Sequence, residues 1–464
     1  KIFPNAKADT MATFMERCNL YCLNYGRIGM INMQSWMYTS TYQKLRASIL
    51  NNLHIDNLLQ LGSRAFNEIN GDVVQCVSFV LSKRSPSTGN FYRLVDGCDS
   101  YAKEKMFLKQ ANLYANVEQK KLTYIPDNIL GYWASNKLLD CFNYPMLNCF
   151  AETRLGMATA DNNIFLRYNW EINCPNIHRT CHTIKESSND VRKWYPYAKG
   201  GINRKWYGNT EYVVNWFNNG YEIQHFTDEK GKVRSHNYNL DYIFKKGITW
   251  NALSSSGTSF RFMQNSLFDN AGSSLFCFND ANYNYLLGFL NSTLPSVILP
   301  IFNQGFNFQP GVISKLPIKI DEERREEVNF IVNSNISISK SDWDAHETSW
   351  DFASNELLSI DLDSYESIMH DYADYHQISI DLEPAEQNKL SWRVDVYKKK
   401  WETMFLRLHQ NEETLNEKFI HIYGLEDELT PDVPLDEVTI LQQGEISKKK
   451  KKTEYGSKED EKII

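Results

Sequence analysis

Near its start the chain alternates between helical and strand-like apolar spacing, and this alternation constrains the fold more than any other feature. Apolar residues at helical spacing predict helices over 8–25 and 39–51. Short apolar runs predict three strands, at Arg27–Met33, Ile55–Leu61 and Val73–Leu81. Helix, strand, helix, strand, strand is the order of half an α/β sheet with parallel character. We therefore predict an α/β fold that opens with half of such a sheet, because a complete Rossmann-like sheet needs more strands and a glycine-rich first turn.

Composition divides the chain into four predicted segments. The turn-rich stretch at 85–89 ends the first domain, residues 1–85, and residues 86–320 carry the irregular pattern of a mixed α+β recognition domain. Residues 321–447 form an acidic helical domain, and the lysine-rich tail 448–464 has the composition of a disordered segment. In the acidic domain we predict three helices, Glu322–Lys340, Leu390–Leu408 and Glu412–Tyr423, the last ending at Gly424 as a C-cap.

Charge is distributed unevenly, although the net charge is only −7. Lys and Arg outnumber Asp and Glu by 9 to 5 in residues 1–85 and by 24 to 18 in residues 86–320. The balance reverses to 10 against 30 in residues 321–447. A basic body suits a protein that binds phosphates, because releasing counterions from nucleic acid supplies much of the affinity. The acidic region would repel DNA, so we expect it to face solvent or a protein partner.

The sequence also bounds the compartment. It has no run of about eighteen apolar residues, so we expect no membrane partner. The first ten residues lack the apolar core of a signal peptide. Nine cysteines, an odd number lying mostly in apolar stretches, favour a reducing environment over a disulfide framework. We therefore expect a cytoplasmic protein.

Trp194–Trp216, here called the aromatic-basic segment, is the most informative stretch for function. It reads WYPYAKGGINRKWYGNTEYVVNW and sets Trp and Tyr rings beside Lys and Arg. Such a segment offers donors for phosphates and base edges next to flat stacking surfaces. The alternative is a polar loop that covers a core. Glycine pairs allow close backbone approach to a ligand, so the candidate DNA contacts here are Lys199, Gly200, Gly201, Arg204, Lys205, Trp206, Tyr207 and Asn209.

The aromatic-basic segment closely resembles a signature of the PglX family, the adenine-specific DNA methyltransferases of BREX phage-defence systems. ADTMATFMERC, GRIGMINMQSWMYTSTYQKLR and LGSRAFNEINGDVVQCVSFVL, within residues 8–81, resemble the part of such enzymes that follows the catalytic loop. The resemblance extends over about residues 5–443. It implies a methyltransferase sheet followed by a target-recognition domain, and it implies S-adenosylmethionine as cofactor. It also implies double-stranded DNA as partner, with other BREX proteins as further partners.

The same resemblance places a base-stacking aromatic in the first domain. By position that aromatic is Phe66, with Trp36 as a second candidate, because a flipped base needs a stacking platform. The family's catalytic motif, Asn-Pro-Pro-Tyr or similar, does not occur in this sequence, and neither does its glycine-rich cofactor turn. No catalytic residue is therefore expected in this chain, which resembles the later part of such an enzyme.

Three further motifs have competing interpretations. Leu155–Ile172 resembles another sequence box of the family, and this chain has Ala160 where the family box has a glycine. Asp161 could pair with base edges, but we expect it to cap a turn. Arg167 in that box is a candidate phosphate contact. CPNIHRTCH, from Cys174 to His182, has zinc-ligand chemistry but not the paired spacing of zinc sites, so we predict no metal. DWDAHETSWD, residues 342–351, is interpreted as caps and charge pairs.

These patterns support two functions. The first is a site-specific adenine DNA methyltransferase, of which this chain alone would be inactive. The second is a DNA-specificity module without catalysis. The presence of a cofactor-binding loop would distinguish them, and this sequence lacks one.

Overall fold

The computed structural model describes residues 3, 5–6, 9–66, 74–254, 257–303, 307–380, 382, 389–441, 446–453 and 456–463. The chain divides into two compact units, which are described separately. Unit 1 comprises Lys1–Met146, Val297–Gly305 and Lys315–Ile318. Unit 2 comprises Leu147–Ser296, Phe306–Ser314 and Lys319–Ile464.

Unit 1 contains a single sheet with short helices. Its elements in chain order are α1 Thr10–Tyr21, β1 Arg27–Met33, α2 Gln43–Asn52, β2 His54–Gly62, β3 Cys76–Ser82, β4 Thr88–Arg93, α3 Ser100–Leu108, β5 Leu113–Glu118 and α4 Asn136–Cys141.

The sheet has the strand order β1-β3-β2-β4-β5. β3 runs antiparallel to both β1 and β2, β4 is parallel to β2, and β5 is antiparallel to β4. The predicted parallel character is therefore wrong for most of this sheet. The error arises because consecutive apolar strands look alike in sequence whichever way they run. The strands themselves were predicted well: β1 has the predicted bounds, and β2 and β3 overlap theirs. Val73 lies outside the described residues.

The sheet continues through the predicted domain boundary at residues 85 and 86. β4 begins at Thr88 and pairs with β2, with Leu58 opposite Phe91. Gln119 adds a buried link, since its side-chain oxygen accepts from the Ile55 backbone N–H at 2.9 Å and its nitrogen donates to Leu53 O at 2.6 Å. The turn at 85–89 is thus a connection inside one sheet, and unit 1 continues to Met146.

Unit 2 is built from two four-stranded sheets and a set of helices. Its elements in chain order are β6 Ala151–Arg154, α5 Asn162–Phe165, β7 Leu166–Tyr168, α6 Ile184–Ser188, β8 Trp194–Ala198, β9 Tyr212–Asn215, α7 Phe217–Gln224, β10 Gly247–Trp250, β11 Phe260–Met263, β12 Leu267–Phe268, β13 Ser274–Cys277, α8 Tyr283–Asn291, α9 Thr293–Phe302, α10 Pro310–Ile313, α11 Arg325–Asp344, α12 Glu356–Ser359, α13 Leu362–His376, α14 Leu390–Tyr423, β14 Ile446–Thr453 and β15 Gly456–Ile463. α9 carries the chain from unit 2 into unit 1.

The two sheets have the orders β11-β10-β13-β6 and β12-β8-β9-β7. Neighbouring strands are antiparallel except β12 and β8, which are parallel. The second sheet packs aromatic and aliphatic side chains into a core that includes Tyr195, Tyr197, Val214 and Phe268. The irregular, short-stranded architecture predicted for the recognition region is present here.

The acidic helices belong to the same compact unit as the recognition region, not to a separate domain at 321–447. Val328 and Val332 of α11 lie against Gly288 of α8, where a methyl group would meet Val332 at 2.9 Å. α14 is one helix of 34 residues where two were predicted, because no glycine or proline interrupts 409–411. Gly424 caps it in the left-handed conformation, as predicted.

Two further observations complete the fold. Disorder was predicted for 448–464, whereas the structure has two antiparallel strands there, β14 and β15, with Lys448 opposite Glu461.

No single helix in the described part of the chain is long and apolar enough to cross a membrane, but the bent pair Asp280–Asn291 and Thr293–Phe302 would qualify together by length and composition.

Candidate nucleic-acid interface

The aromatic-basic segment supplies strands β8 and β9 and the loop between them, residues 199–211. β8 and β9 pair antiparallel, with Tyr195 opposite Val214. The loop is fixed against β11, because Trp206 N–H donates to Phe260 O at 2.9 Å and Trp206 O accepts from Phe262 N–H at 2.8 Å. Trp206 adopts φ +69°, a left-handed conformation that costs a bulky residue about 1–3 kcal/mol and persists only where packing demands it.

Arg204 is buried in a charge pair. Its guanidinium donates to Asp342 Oδ2 at 2.7 Å and to Ser339 O at 2.8 Å, both on α11. A third bond reaches Tyr207 O at 2.7 Å, and the guanidinium lies 5.1 Å from the ring centre of Trp343. Only 5% of Arg204 is exposed. The guanidinium is therefore used inside the protein.

Lys205 and Trp206 share one carboxylate on α14. Lys205 Nζ lies 2.7 Å from Glu412 Oε2, and the indole N–H of Trp206 donates to Glu412 Oε1 at 2.7 Å. Glu412 is buried, and Trp206 is completely so. A buried carboxylate must be paired and hydrogen-bonded to be tolerated, and these two donors meet that requirement.

These contacts correct the predicted DNA-binding role of the loop. Arg204, Trp206 and Asn209 are buried, and Lys205 is committed to Glu412. Asn209 donates its side-chain N–H to Ile202 O at 3.0 Å. The alternative in which the segment covers a core describes these four residues better. They join the sheets of unit 2 to α11 and α14.

Gly200, Tyr207 and Asn209 line a small cavity of about 140 Å³ within unit 2. Its wall also includes Tyr197 and Arg261. Burial lowers the pKa of Arg261 to about 10, and its guanidinium donates to Arg204 O at 3.1 Å and to Asn251 Oδ1 at 2.8 Å. Of the predicted DNA contacts, Gly200 and Tyr207 thus lie in the wall of this cavity. Burial raises the pKa of the Tyr207 hydroxyl.

Gly201 and Lys199 lie outside both the cavity wall and the carboxylate pairs of the segment. Gly201 is exposed and Lys199 is half-buried. Lys199 Nζ lies 4.8 Å from the ring centre of Tyr212. Arg167 of β7 is also half-buried. Consecutive residues of a strand point to opposite faces of the sheet, so Arg167 lies on the face opposite to that of its neighbour Tyr168. Its guanidinium lies 5.8 Å from the ring centre of Trp194.

An aromatic column, formed by Trp170, Tyr168 and Tyr212, continues from Lys199. Tyr168 stacks on Trp170 with ring centres 4.5 Å apart and planes 7° apart. Tyr168 also stacks on Tyr212 at 4.9 Å, directly opposite it in the β7–β9 register. Half of Trp170 and 38% of Tyr168 remain exposed. Tyr168 and Trp170 are not among the contacts predicted from the sequence, although their i, i+2 spacing at the end of a strand is a usable signal.

The two base-stacking candidates of unit 1 differ in accessibility. Trp36 is completely buried and meets Phe79 edge to face, with ring centres 5.3 Å apart. Arg46 donates to Trp36 O at 2.8 Å from a buried position and holds the turn that contains it. Trp36 is a core residue as the chain is folded, so its predicted stacking role is not supported. Phe66 is 39% exposed and stays a prediction.

The remaining motifs have structural partners. Asp161 caps α5, as expected, by accepting from the backbone N–H groups of Asn163 and Ile164. His178 lies 2.5 Å from Asp190 and is buried, whereas Cys174 is exposed. Within the described residues, no three His, Cys, Asp or Glu side chains are grouped so that they could hold a metal.

Residues 342–351 form the charge pairs expected of them. Asp342 pairs with Arg204, and Asp351 pairs with both Arg179 and Lys340. Asp344 accepts from the Ser349 hydroxyl at 2.7 Å, which closes the turn after α11.

Comparisons with known proteins indicate the class. Residues 2–66 match the family model of the Eco57I restriction-modification methylase. Over 93% of the chain the structure is also similar to the type IIL restriction-modification enzyme MmeI in complex with DNA, covering 52% of that protein at 12% identity and a TM-score of 0.47. The structure is also similar to a DrdV–DNA complex, over 93% of this chain and 54% of that one. Their sequence identity is 8% and the TM-score is 0.41. TM-scores below 0.5 are too low to assign a fold. The described fold is mixed α/β with several sheets.

Curated relatives identify the family. The chain is 34% identical over 457 residues to the adenine-specific methyltransferase PglX of Lacticaseibacillus casei (strain Zhang), and this match covers 95% of the chain. It is 32% identical over 382 residues to the adenine-specific methyltransferase BrxX of Escherichia coli O9:H4 (strain HS), covering 81% of the chain. The resemblance predicted from the sequence is confirmed: the chain is a relative of the PglX adenine-specific methyltransferases. It spans about a third of those proteins, 35% and 30% of their lengths.

Proposed function

We propose that this chain is the DNA-recognition part of a site-specific adenine DNA methyltransferase of a BREX phage-defence system. The whole enzyme would transfer a methyl group from S-adenosylmethionine to the exocyclic amine of adenine in duplex DNA. The observation that carries the proposal is the 34% identity to an adenine-specific methyltransferase over 95% of the chain. The basic balance of residues 86–320 supports a phosphate-rich partner.

The described residues do not fit the cofactor. S-adenosylmethionine binding in such enzymes needs a glycine-rich turn between a strand and a helix. After β1 the chain runs through Gln34–Tyr42 to α2 without a glycine, and the turn is filled by the buried Trp36. No methyl-transfer step is therefore assigned to residues of this chain. On this proposal the chain alone is inactive.

A calorimetric titration of the purified chain with S-adenosylmethionine tests that statement. We expect no heat of binding, because the glycine-rich turn is missing from the sequence. Saturable binding in the micromolar range would contradict it. A parallel titration of a PglX relative that carries the turn shows that the assay detects such binding.

Comparing adenine methylation across the genome, with the gene that encodes this chain intact and disrupted, tests the activity. We expect one short DNA sequence to lose its methylated adenine on disruption. An unchanged methylation pattern would contradict the methyltransferase proposal.

A non-catalytic DNA-specificity module is the second candidate, favoured by the missing Asn-Pro-Pro-Tyr and cofactor motifs. Duplex binding by this chain, together with an unchanged methylation pattern on disruption, would select it. Cytoplasmic location and other BREX proteins as partners belong to the first proposal. Co-purification of BREX proteins with the tagged chain from the cytosolic fraction would support them.

A further inference from the structure

The aromatic column is the largest described set of stacked rings in unit 2 that reaches the surface next to a cation. Tyr168 lies in the middle, with Trp170 and Tyr212 each stacked on it. Lys199 sets its ammonium group 4.8 Å from the ring centre of Tyr212. Trp170 is the outer member, and half of its surface is exposed. A column of flat rings beside a positive charge matches the alternation of bases and phosphates along a nucleic-acid strand.

Hydrogen bonds fix the base of the column before any ligand arrives. The backbone N–H of Tyr168 donates to Glu171 Oε2 at 2.7 Å. Asn169, which lies between Tyr168 and Trp170 in sequence, is buried. Its backbone N–H donates to Glu211 O at 2.8 Å, and its side chain donates to Thr348 O at 3.1 Å. The Tyr212 hydroxyl donates to the Tyr168 hydroxyl at 3.2 Å. Such preorganisation reduces the entropy lost when a ligand binds.

Burial separates the column from the other aromatic residues of the segment. Trp206 and Trp216 are completely buried and serve the interior. Trp170 lies outside the core with its ring parallel to that of Tyr168, a poor arrangement for excluding water and a good one for stacking.

We propose that the aromatic column contacts the DNA target, with a base stacked on Trp170 and a backbone phosphate paired with Lys199. This inference rests on the proposed function, because it takes DNA as the ligand. It moves the DNA contact from the Arg204–Trp206 loop to the end of β7 and β9.

Binding of a fluorescein-labelled duplex to the purified chain, followed by anisotropy, tests the proposal. We expect Trp170→Ala to raise Kd about tenfold and Trp170→Phe, which keeps a stacking ring, to raise it less than threefold. The matched control is Tyr221→Ala, which removes another exposed ring (56%) of the same unit, stacked on His225 at 4.1 Å. The control should leave Kd unchanged. Equal Kd values for Trp170→Ala and Tyr221→Ala would overturn the column while leaving DNA binding intact.

Photocrosslinking of the unmodified chain gives a second measurement that does not depend on a folded variant. Duplexes with 5-iododeoxyuridine in place of thymidine crosslink to aromatic rings stacked on the base. We expect crosslinked peptides that contain Tyr168 and Trp170, and crosslinks confined to other peptides would overturn the proposal. If the unmodified chain binds neither duplex nor single-stranded DNA, the proposed function fails together with the column.

Discussion

Arg204, Lys205 and Trp206 show how three neighbouring side chains can resemble a ligand site and yet serve the interior. Their donors end on Asp342 and Glu412, carboxylates of two long helices. Removing one partner of a buried ion pair costs about 3–5 kcal/mol, since the other charge is left without compensation. The loop therefore stabilises the contact of the recognition sheets with these helices.

Trp206→Ala tests this structural role. We expect it to lower the free energy of unfolding by about 3–5 kcal/mol, the usual loss for a fully buried tryptophan. Urea unfolding followed by circular dichroism measures the change. Trp170→Ala, at a half-exposed tryptophan, is the control and should cost less than about 1 kcal/mol. A Trp206→Ala chain that unfolds normally but binds DNA weakly would contradict the structural role.

His178 predicts a pH dependence of stability. Burial lowers the pKa of His178 below 6.5, and Arg192 lowers it further, whereas Asp190 and Glu186 oppose that shift. Below about pH 6.5 the unfolded chain therefore binds a proton that the folded chain resists. The contribution of neutral His178 to stability is complete above that pH and is lost as the pH falls. The Arg192 hydrogen bond lowers the pKa of Asp190, so this carboxylate adds a loss in the same direction at still lower pH.

Thermal unfolding at pH 7.5, 6.5 and 5.5 measures that dependence. We expect the melting temperature of the unmodified chain to fall with acidification. The melting temperature of the His178→Gln chain should fall less over the same interval. The same slope for both chains would show that His178 does not contribute.

At the scale of elements, Gly208 sets the path of the aromatic-basic loop. It has φ +131°, and an added Cβ would lie 2.5 Å from Arg204 Nε and 2.8 Å from Trp343. Gly208→Ala should therefore displace Arg204 from its carboxylate and destabilise the chain. Gly231→Ala is the matched control, because Gly231 also has positive φ (+75°) but nothing within 4 Å of an added Cβ. Melting temperatures compare them, and an equal loss in both would mean that only backbone strain matters.

Local pattern predicted some elements well for physical reasons. Gly26 precedes a short run rich in Ile and Met, so the bounds of β1 follow from sequence alone. Gly424 ends α14 where the apolar periodicity ends. Strand direction did not follow, because β2 and β3 have the same apolar character whichever way they run. The burial of Arg204 also could not be predicted, since its carboxylate partner is 138 residues away in sequence. Tyr168 and Tyr212 likewise meet only through a strand pairing that brings together residues 44 apart.

In the whole molecule, charge segregation and burial together limit which cations are available to the proposed DNA partner. Residues 86–320 are net basic, but two of their cations, Arg204 and Lys205, are neutralised by carboxylates of the acidic region. The sequence predicted that the acidic region faces solvent or a protein partner. Two of its carboxylates instead pair with cations of the same chain. On the proposed function, we expect cations that stay accessible, such as Lys199, to provide the phosphate contacts.

The salt dependence of duplex binding distinguishes accessible cations from those already paired inside the protein. The logarithm of the binding constant falls with the logarithm of salt concentration, with a slope of about 0.9 per neutralised phosphate. We predict that Lys199→Met reduces that slope by about 0.9, the value for one lost phosphate contact. The double change Lys205→Met, Glu412→Gln removes the buried charges of both partners and should leave the slope unchanged. An unchanged slope for Lys199→Met and a reduced one for the double variant would contradict the account.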